Sequence, residues 1–361
     1  KEAVWMNPEE AGTPSRHPVL KTLYKYPADL LRYVHNDYSL SVNPVIQYEQ
    51  MLEAGGASHN LYINSRGAEL QGQLLHRVGF YTVLTDNQER GPSWHQMYVQ
   101  QHQAIPGATY YKDLPGQAQD YFSASGYIDV AMLKEHMNLS FGSNRFQLGE
   151  GYRSLFLSDF GSNMLFLRLN TRVGKVNYQN LFLELTPQYL RGADHLLPRK
   201  YAAIHHLSMH VAPWMQLGLY ESVVFGRNDF FDFQYLNPVI FYHAVEQTKG
   251  SPDNSMLGVD LSIQTRFRIR FYSQFLLDEF KFSHIKAGDG WWGNKYAWQL
   301  GLKIADPFGI PHLLIQPEVD LIRPYTYTHN DSVAEFSHYN QSLAHPYGAN
   351  LLEYNLNLYY Q

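Results

Sequence analysis

The sequence predicts an all-β fold, an antiparallel transmembrane β-barrel of the outer-membrane kind, and three observations carry that prediction. Apolar residues recur with a period of two over many segments. The opposite face of those segments is charged or amide-rich. Tight connections alternate with long loops rich in Gly, Pro, Asn and Tyr. Successive side chains on a strand point to opposite faces, so a period of two gives each segment one apolar and one polar side. A closed barrel in a bilayer needs that pattern, with lipid outside and a wet interior. A water-soluble β-sandwich shares the period, and it is the competing architecture.

The elements follow in chain order. Residues 1–37 read differently from the rest. Val19, Leu20 and Leu23, then Ala28-Asp29-Leu30-Leu31, suggest short helical pieces broken by Pro18 and Pro27, a periplasmic or plug-like segment. The barrel is expected over 38–361. Leu165, Leu167 and Leu169 alternate with Phe166, Arg168 and Asn170. Met215, Leu217 and Leu219 alternate with Gln216 and Gly218. Leu257, Val259, Leu261 and Ile263 alternate with Asp260, Ser262 and Gln264. Phe267, Ile269 and Phe271 alternate with Arg266, Arg268 and Arg270. Trp298, Leu300, Leu302 and Ile304 alternate with Gln299, Gly301 and Lys303. Leu352, Tyr354, Leu356 and Leu358 alternate with Glu353, Asn355 and Asn357. Segments of about ten residues suit a tilted crossing of a bilayer. Tight turns are expected at 171–174 and 212–214, and long loops at 85–125, 226–255, 288–295 and 326–349. The pattern gives roughly 12 to 14 strands. The last residues read as the middle of a strand with no turn after it, so closing strands are expected to follow or to come from a partner. No leader is visible at Lys1, which points to a mature or trimmed form.

Composition agrees and excludes some functions. The 361 residues carry a net charge of −5, no cysteine, 28 Tyr and 20 Phe. Mean hydropathy is −0.36 although 45 % of residues are hydrophobic, because aromatics dominate the apolar set. Amphipathic rings suit the girdles of a membrane barrel. A near-neutral charge argues against a nucleic-acid partner. No apolar run is long enough for a transmembrane helix.

Several strings have a placement of Gly, Pro, Asp and Trp that strand patterning alone does not generate. They are Tyr26-Pro27-Ala28-Asp29 with Val42-Asn43-Pro44-Val45, and Val78-Gly79-Phe80-Tyr81-Thr82 with Thr85-Asp86-Asn87. Gly151-Tyr152-Arg153-Ser154-Leu155-Phe156-Leu157-Ser158-Asp159 and Tyr235-Leu236-Asn237-Pro238-Val239-Ile240-Phe241-Tyr242 follow. The later ones are Gly250-Ser251-Pro252-Asp253-Asn254, Leu277-Asp278-Glu279-Phe280, Gly290-Trp291-Trp292-Gly293-Asn294-Lys295, Arg323-Pro324-Tyr325-Thr326-Tyr327 and Ala344-His345-Pro346. In these the sequence resembles the Wzi-type capsule assembly family of outer-membrane proteins, in the branch that includes the gliding motility protein RemB of Bacteroidetes. The resemblance implies a barrel with a helical N-terminal portion and a glycan-related surface role in the outer membrane. Family barrels extend beyond where this chain ends.

The functional expectation is a non-catalytic surface protein that binds capsular or exopolysaccharide, or serves gliding motility. The alternative is a structural subunit of a multi-protein outer-membrane machine with no ligand of its own. Partners would be outer-membrane lipid, a surface polysaccharide and other outer-membrane proteins, with no cofactor.

The ligand-site candidates are Asp289, Trp291, Trp292 and Asn294, with Arg323, Tyr325 and Tyr327. Aromatic faces suit the C–H side of a sugar, amides and carboxylates its hydroxyls, and Arg323 an acidic sugar. Packing of these rings within the barrel or at the interface is the plainer reading. Arg153, Asp159, Arg266, Arg268, Arg270, Asp278 and Glu279 are expected in a structural charge network of the lumen, since such charges are costly toward lipid.

His206 and His210 share a strand face but lie about 13 Å apart, too far for one metal ion. No Gly-x-Ser-x-Gly elbow supports hydrolase chemistry. Asp331-Ser332-Val333 matches a weak O-glycosylation acceptor pattern, and a plain loop is the simpler reading.

Overall fold

The alternating segments become strands whose register can be followed residue by residue. The computed structural model describes residues 17–360 apart from 27, 56–59, 134–135, 188–191, 193–195, 228–229, 239–240, 243–244, 246–249, 251–252 and the side chains at 282 and 285. Among the described residues, sixteen strands enter antiparallel ladders of a large sheet. The chain divides into two units, the first holding residues up to Asn144 and Ser162–Leu169, the second Arg145–Gly161 and everything from Asn170 on.

The first unit contains β1 (Leu31–His35), β2 (Tyr38–Met51), β3 (Leu61–Leu74), β4 (Val78–Arg90), helix α1 (Ser93–His102), β5 (Lys112–Leu114), β6 (Ala118–Met132) and β7 (Met137–Asn144). β8 (Met164–Val173) runs from it into the second unit. Each of β1, β2, β3, β4, β6 and β7 pairs with the next, and β5 pairs with the start of β6. Directly opposed residues share a face, so the registers generate rows. One row is Tyr38, Leu74, Val78, Val130 and Leu139, and the next is Leu40, Gly72, Phe80, Ile128 and Phe141. Higher on the same face the rows turn polar. Arg66 faces Asp86 and bonds it at 3.3 Å, both exposed, and Gln88 bonds Asp120. An apolar band with a charged border is the profile a strand presents where it leaves hydrocarbon for water.

The second unit contains β9 (Val176–Leu185), β10 (Lys200–Ala212), β11 (Met215–Phe225), β12 (Asn254–Gln264), β13 (Ile269–Leu277), helix α2 (Phe282–Ala287), β14 (Tyr296–Ala305), β15 (Leu313–Ile322), the small β16 (Ser337–His338) and β17 (Gln341–Ser342), and β18 (Leu351–Tyr360). β9 to β15 pair in sequence and β15 then pairs with β18. Across six strands, Leu219, Val259, Phe275, Trp298, Leu321 and Leu352 form one row. The row of opposite sense is Gly218, Asp260, Gln274, Gln299, Asp320 and Glu353.

The burial of these faces is inverted relative to a water-soluble protein. Trp298 and Leu300 are 45 % and 42 % exposed, while Gln299 between them is fully buried. Gln274, Gln316, Glu318 and Asp320 are buried too, and Leu219, Leu352, Leu356 and Leu358 are exposed. A sandwich would bury the leucines. Here the aliphatic face has no protein over it and the amide-and-acid face is covered.

What covers the polar face in the second unit is the segment 145–161. Leu155, Phe156 and Leu157 are fully buried in it. Its backbone is met by strand side chains: Gln274 accepts from Leu155 N (2.8 Å) and donates to Leu148 O (2.9 Å). Glu318 accepts from Tyr152 N (2.8 Å) and Arg153 N (2.9 Å), and Gln299 donates to Arg153 O (3.1 Å). A loop buried without regular structure must place its backbone N–H and C=O groups on side chains, and these amides and acids supply the partners. Phe156 stacks on Tyr220 at 4.4 Å between centroids. Gly258 allows this, since a Cβ there would lie 2.4 Å from the Phe156 ring. Glu150 bonds Arg270 and Lys303 at 3.1 Å each. Burial pushes its carboxyl up, but the two cations outweigh that and hold it below its ordinary value.

Some expectations change. Among the described residues 17–30 there are turns and isolated bridges in place of helical pieces, and β1 lies inside the span 1–37, zipped to β2. Residues 1–16 and Pro27 lie outside the described residues. Strand β1 and the three-residue β5 account for sixteen strands against the expected 14 at most. The loop expected over 85–125 is shorter, because β4 runs to Arg90 and β6 starts at Ala118. Thr85 to Arg90 is polar on both faces, which hid its strand character. Arg266, Arg268 and Arg270 do not share a strand face. Arg266 and Arg268 occupy the turn before β13, where the exposed Arg268 has a φ of +59° and pairs with the half-buried Asp306. Only Arg270 lies in the strand.

Candidate functional site

The connections alternate in length within each unit. In the second they are short at 174–175, 213–214, 265–268 and 306–312, and long at 186–199, 226–253, 278–295 and 323–350. In an antiparallel meander the long ones emerge together at one end of the strands. The 278–295 and 323–350 loops carry the candidate ligand residues.

Trp291 is half-buried. It stacks on His284 (4.4 Å, 22°), has Lys281 Nζ 4.8 Å over its ring, and meets Trp292 at 6.1 Å. Asp289 fixes this turn by accepting from Trp291 N (3.0 Å) and lying 2.7 Å from His284 Nδ1. The His284 hydrogen bond holds the exposed Asp289 carboxyl below its ordinary value. Trp292 and Tyr325 meet edge to face at 5.8 Å and are 58 % and 56 % exposed. They bring the 278–295 and 323–350 loops together and leave two aromatic rings in the open. Arg323 lies with its guanidinium 5.4 Å over the Tyr296 ring.

Two candidates sit elsewhere. Asn294 is buried, and its Oδ1 accepts from Lys281 N at 2.7 Å. Tyr327 is buried against Phe336 and donates its hydroxyl to Leu155 O at 3.1 Å. Neither offers a face to a ligand, and both hold the loops that display Trp292 and Tyr325. Sequence reasoning did not single out Lys281 and His284, which complete the polar surround. Helix α2 brings them to Trp291, and only their closeness in sequence hinted at it.

The seven charged residues expected in one network fall into separate groups. Arg153 forms a two-pronged pair with Glu353 (3.1 and 3.2 Å). Arg270 shares Glu150 with Lys303. Asp278 accepts from Tyr327 N (2.8 Å), and burial pushes its carboxyl up to about 7 against the pull of Lys295. Glu279 bonds Lys295 at 2.9 Å. Asp159 and Arg266 are exposed and form no ion pair among the described residues.

The motif strings turn out to meet one another. Asp29 bonds Asn43 (3.0 Å) and Arg32 (3.1 Å), joining two of them in the first unit. In the second, Asp253 accepts from Arg227 and from Tyr235 (2.6 Å), and His345 Nε2 lies 2.7 Å from Glu353. The parts at 239–240 and 251–252 lie outside the described residues. Asp331 accepts from Val333 N (3.0 Å), a local loop turn.

No family model matches the chain, and no curated protein matches it either. Solved structures do. The chain is similar in fold to Wzi of Escherichia coli, an outer-membrane protein involved in group 1 capsule assembly and described as a carbohydrate-binding β-barrel. The TM-score is 0.55 at 14 % identity, over 89 % of this chain and 67 % of that one. Matches to OccK9 (OpdG) of Pseudomonas aeruginosa and to OccD1 (OprD) both have a TM-score of 0.37 at 11 % identity and cover 83 % of this chain, with 85 % and 79 % of theirs. The likeness to Wzi establishes the architecture: this chain has an antiparallel β-barrel fold of the outer-membrane type. No helix among the described residues is long and apolar enough to cross a membrane.

Proposed function

We propose that the chain is an integral outer-membrane protein that holds a surface polysaccharide on its long loops and has no catalytic role. The observation that carries this reading is the exposed Trp292–Tyr325 pair, with Trp291 and its neighbours Lys281, His284 and Asp289 beside Trp292 and with Arg323 two residues before Tyr325. Two open rings offer apolar faces for the C–H sides of pyranose rings, and the polar groups around them suit hydroxyls or a carboxylate. The fold shared with a carbohydrate-binding barrel supports the same reading. In a barrel the polar face is the interior, so the segment 145–161 fills the lumen along β11–β15 and favours binding over conduction.

The test is calorimetric titration of the folded barrel with capsular and exopolysaccharide oligomers from its host. Saturable binding that Trp292→Ala and Tyr325→Ala each weaken supports the reading. A folded barrel that binds none of them contradicts it. A role in gliding or as a machine subunit is the alternative. It would show as a stoichiometric protein partner retained through gentle detergent extraction, with no glycan binding.

A further inference from the structure

The polar face carries a second constellation, at the loop end of β15 and β18. Asp320 and Glu353 are direct partners across that ladder, and Gln299 on β14 is the direct partner of Asp320. His345 returns onto them from the connecting loop and is fully buried. One ligand atom from each of Asp320, His345 and Glu353 lies within 4.8 Å of the other two. We infer that these three residues bind one divalent transition-metal ion of the zinc type.

One unpartnered atom points to a cation. Asp320 is fully buried, and its Oδ1 accepts from Gln299 Nε2 (2.9 Å), but its Oδ2 has no hydrogen-bond partner. A carboxylate oxygen only accepts, so what this pocket lacks is positive charge or a donor, not another oxygen. The charge balance says the same. Glu318, Asp320 and Glu353 cluster on one face, and among the described residues the arginine or lysine in an ion pair with them is Arg153, whose guanidinium is committed to Glu353. Glu318 is met by neutral donors: Tyr152 N, Arg153 N and the Tyr272 hydroxyl at 2.7 Å. A surplus of buried carboxylate is costly unless a cation or a proton offsets it.

The donor set selects the ion. One imidazole with two carboxylates suits zinc and its neighbours, whereas calcium takes six to eight oxygens. Tetrahedral bonds of about 2.0–2.2 Å require the widest ligand separation, 4.8 Å, to close by roughly 1.4 Å. His345 sits on a loop and can make that movement. On binding, His345 Nε2 gives up its contact with Glu353 and coordinates, and the imidazole proton resides on Nδ1, ending the 3.3 Å approach of Tyr347 N–H. The imidazole keeps its single proton, and a proton held by either carboxyl before binding leaves to solvent. The ion ties β15 and β18 to the loop that bears Arg323 and Tyr325. The inference does not depend on glycan binding.

The test uses the full chain, refolded in detergent after EDTA treatment and checked for folding by its unheated gel mobility. Dialysis against Zn²⁺ followed by elemental analysis should retain one ion per chain. Asp320→Asn and His345→Gln should bind at least tenfold more weakly, and His206→Gln should match the unaltered chain. Co²⁺ should give a visible nitrogen-and-oxygen-ligand spectrum that one equivalent of Zn²⁺ abolishes, a readout that needs no variant. A folded chain that retains no zinc and gives no cobalt spectrum, as it would if a proton on Asp320 settled the charge, overturns the inference. Folded Asp320→Asn and His345→Gln variants that retain zinc like the unaltered chain overturn it as well.

Discussion

Replacing Leu300 by arginine separates a lipid-facing wall from a water-facing one. Leu300 stands in the middle of β14 with Trp298 and Leu302 beside it on the same face. Ser273 and Val319 lie across the ladders. It is partly exposed and no protein covers it. If water met this face, an arginine there would change stability by no more than about 0.5 kcal/mol. If acyl chains meet it, the cost at mid-depth is about 2–4 kcal/mol, a factor of roughly 30 to 700 in the folding equilibrium. The depth follows from the strand. Along β18 the apolar face runs from Leu352 to Tyr360, about 27 Å at a strand rise of about 3.4 Å, and roughly 20 Å along the normal at a tilt of about 40°. On β14 the same face continues from Leu300 to Trp298 on one side and to Leu302 and Ile304 on the other, which places Leu300 inside that band. The assay is urea-induced unfolding in lipid vesicles, read by tryptophan fluorescence and gel mobility. A Leu300→Arg variant within 0.5 kcal/mol of the unaltered chain in bilayers refutes the reasoning.

Other outcomes follow from the same geometry. Trp292→Ala and Tyr325→Ala should each weaken oligosaccharide binding by about five- to tenfold, about 1 kcal/mol, with no change in folding. Tyr327→Phe should leave binding intact and cost about 1 kcal/mol of stability, the hydrogen bond to Leu155 O; calorimetry and urea unfolding read the two effects apart. Arg153→Ala should destabilise by about 3 kcal/mol, because it strands Glu353 against β15, and smaller losses in urea would show the pair to be surface-like. Asp278 titrates with a raised value, so the folded state holds its proton longer than the unfolded chain. Its contribution is complete below the ordinary value of 3.8, falls as pH rises toward about 7 and is flat above. Asp278→Asn, which can still accept from Tyr327 N, should match the parent near pH 3.5 and exceed it in stability at pH 8. Equal stability at pH 8 would mean that the carboxyl is not desolvated.

The walls were legible in the sequence and the interior was not. Alternation in stretches such as Trp298 to Ile304 names both the strand and its two faces, because each residue's neighbours two positions away share its environment. The partners on the polar face are set by long-range closure. Glu318 serves the backbone at Tyr152 and Arg153, and Gln274 serves Leu148 and Leu155, across more than a hundred residues, so local spacing carries no trace of them. The arginine run misled for a related reason. Arg266 and Arg268 keep the alternation of a strand while the backbone at Arg268 turns left-handed. The motif strings hold residues that meet in the folded chain, but they did not reveal which are open and which are buried. Trp292 and Tyr325 stand open, while Asn294, Tyr327 and Asp278 are the fixtures beneath them.

Spin labels on single cysteines test the inside-out arrangement most directly, and the chain has no cysteine of its own to remove. Labels placed in turn from 298 to 304 in vesicles should alternate. Those at 298, 300, 302 and 304 should collide with dissolved oxygen and be shielded from a water-soluble nickel relaxant. Those at 299, 301 and 303 should be shielded from oxygen in the bilayer. Loss of the alternation, or nickel access at 300 and 302, would contradict a lipid-facing leucine wall.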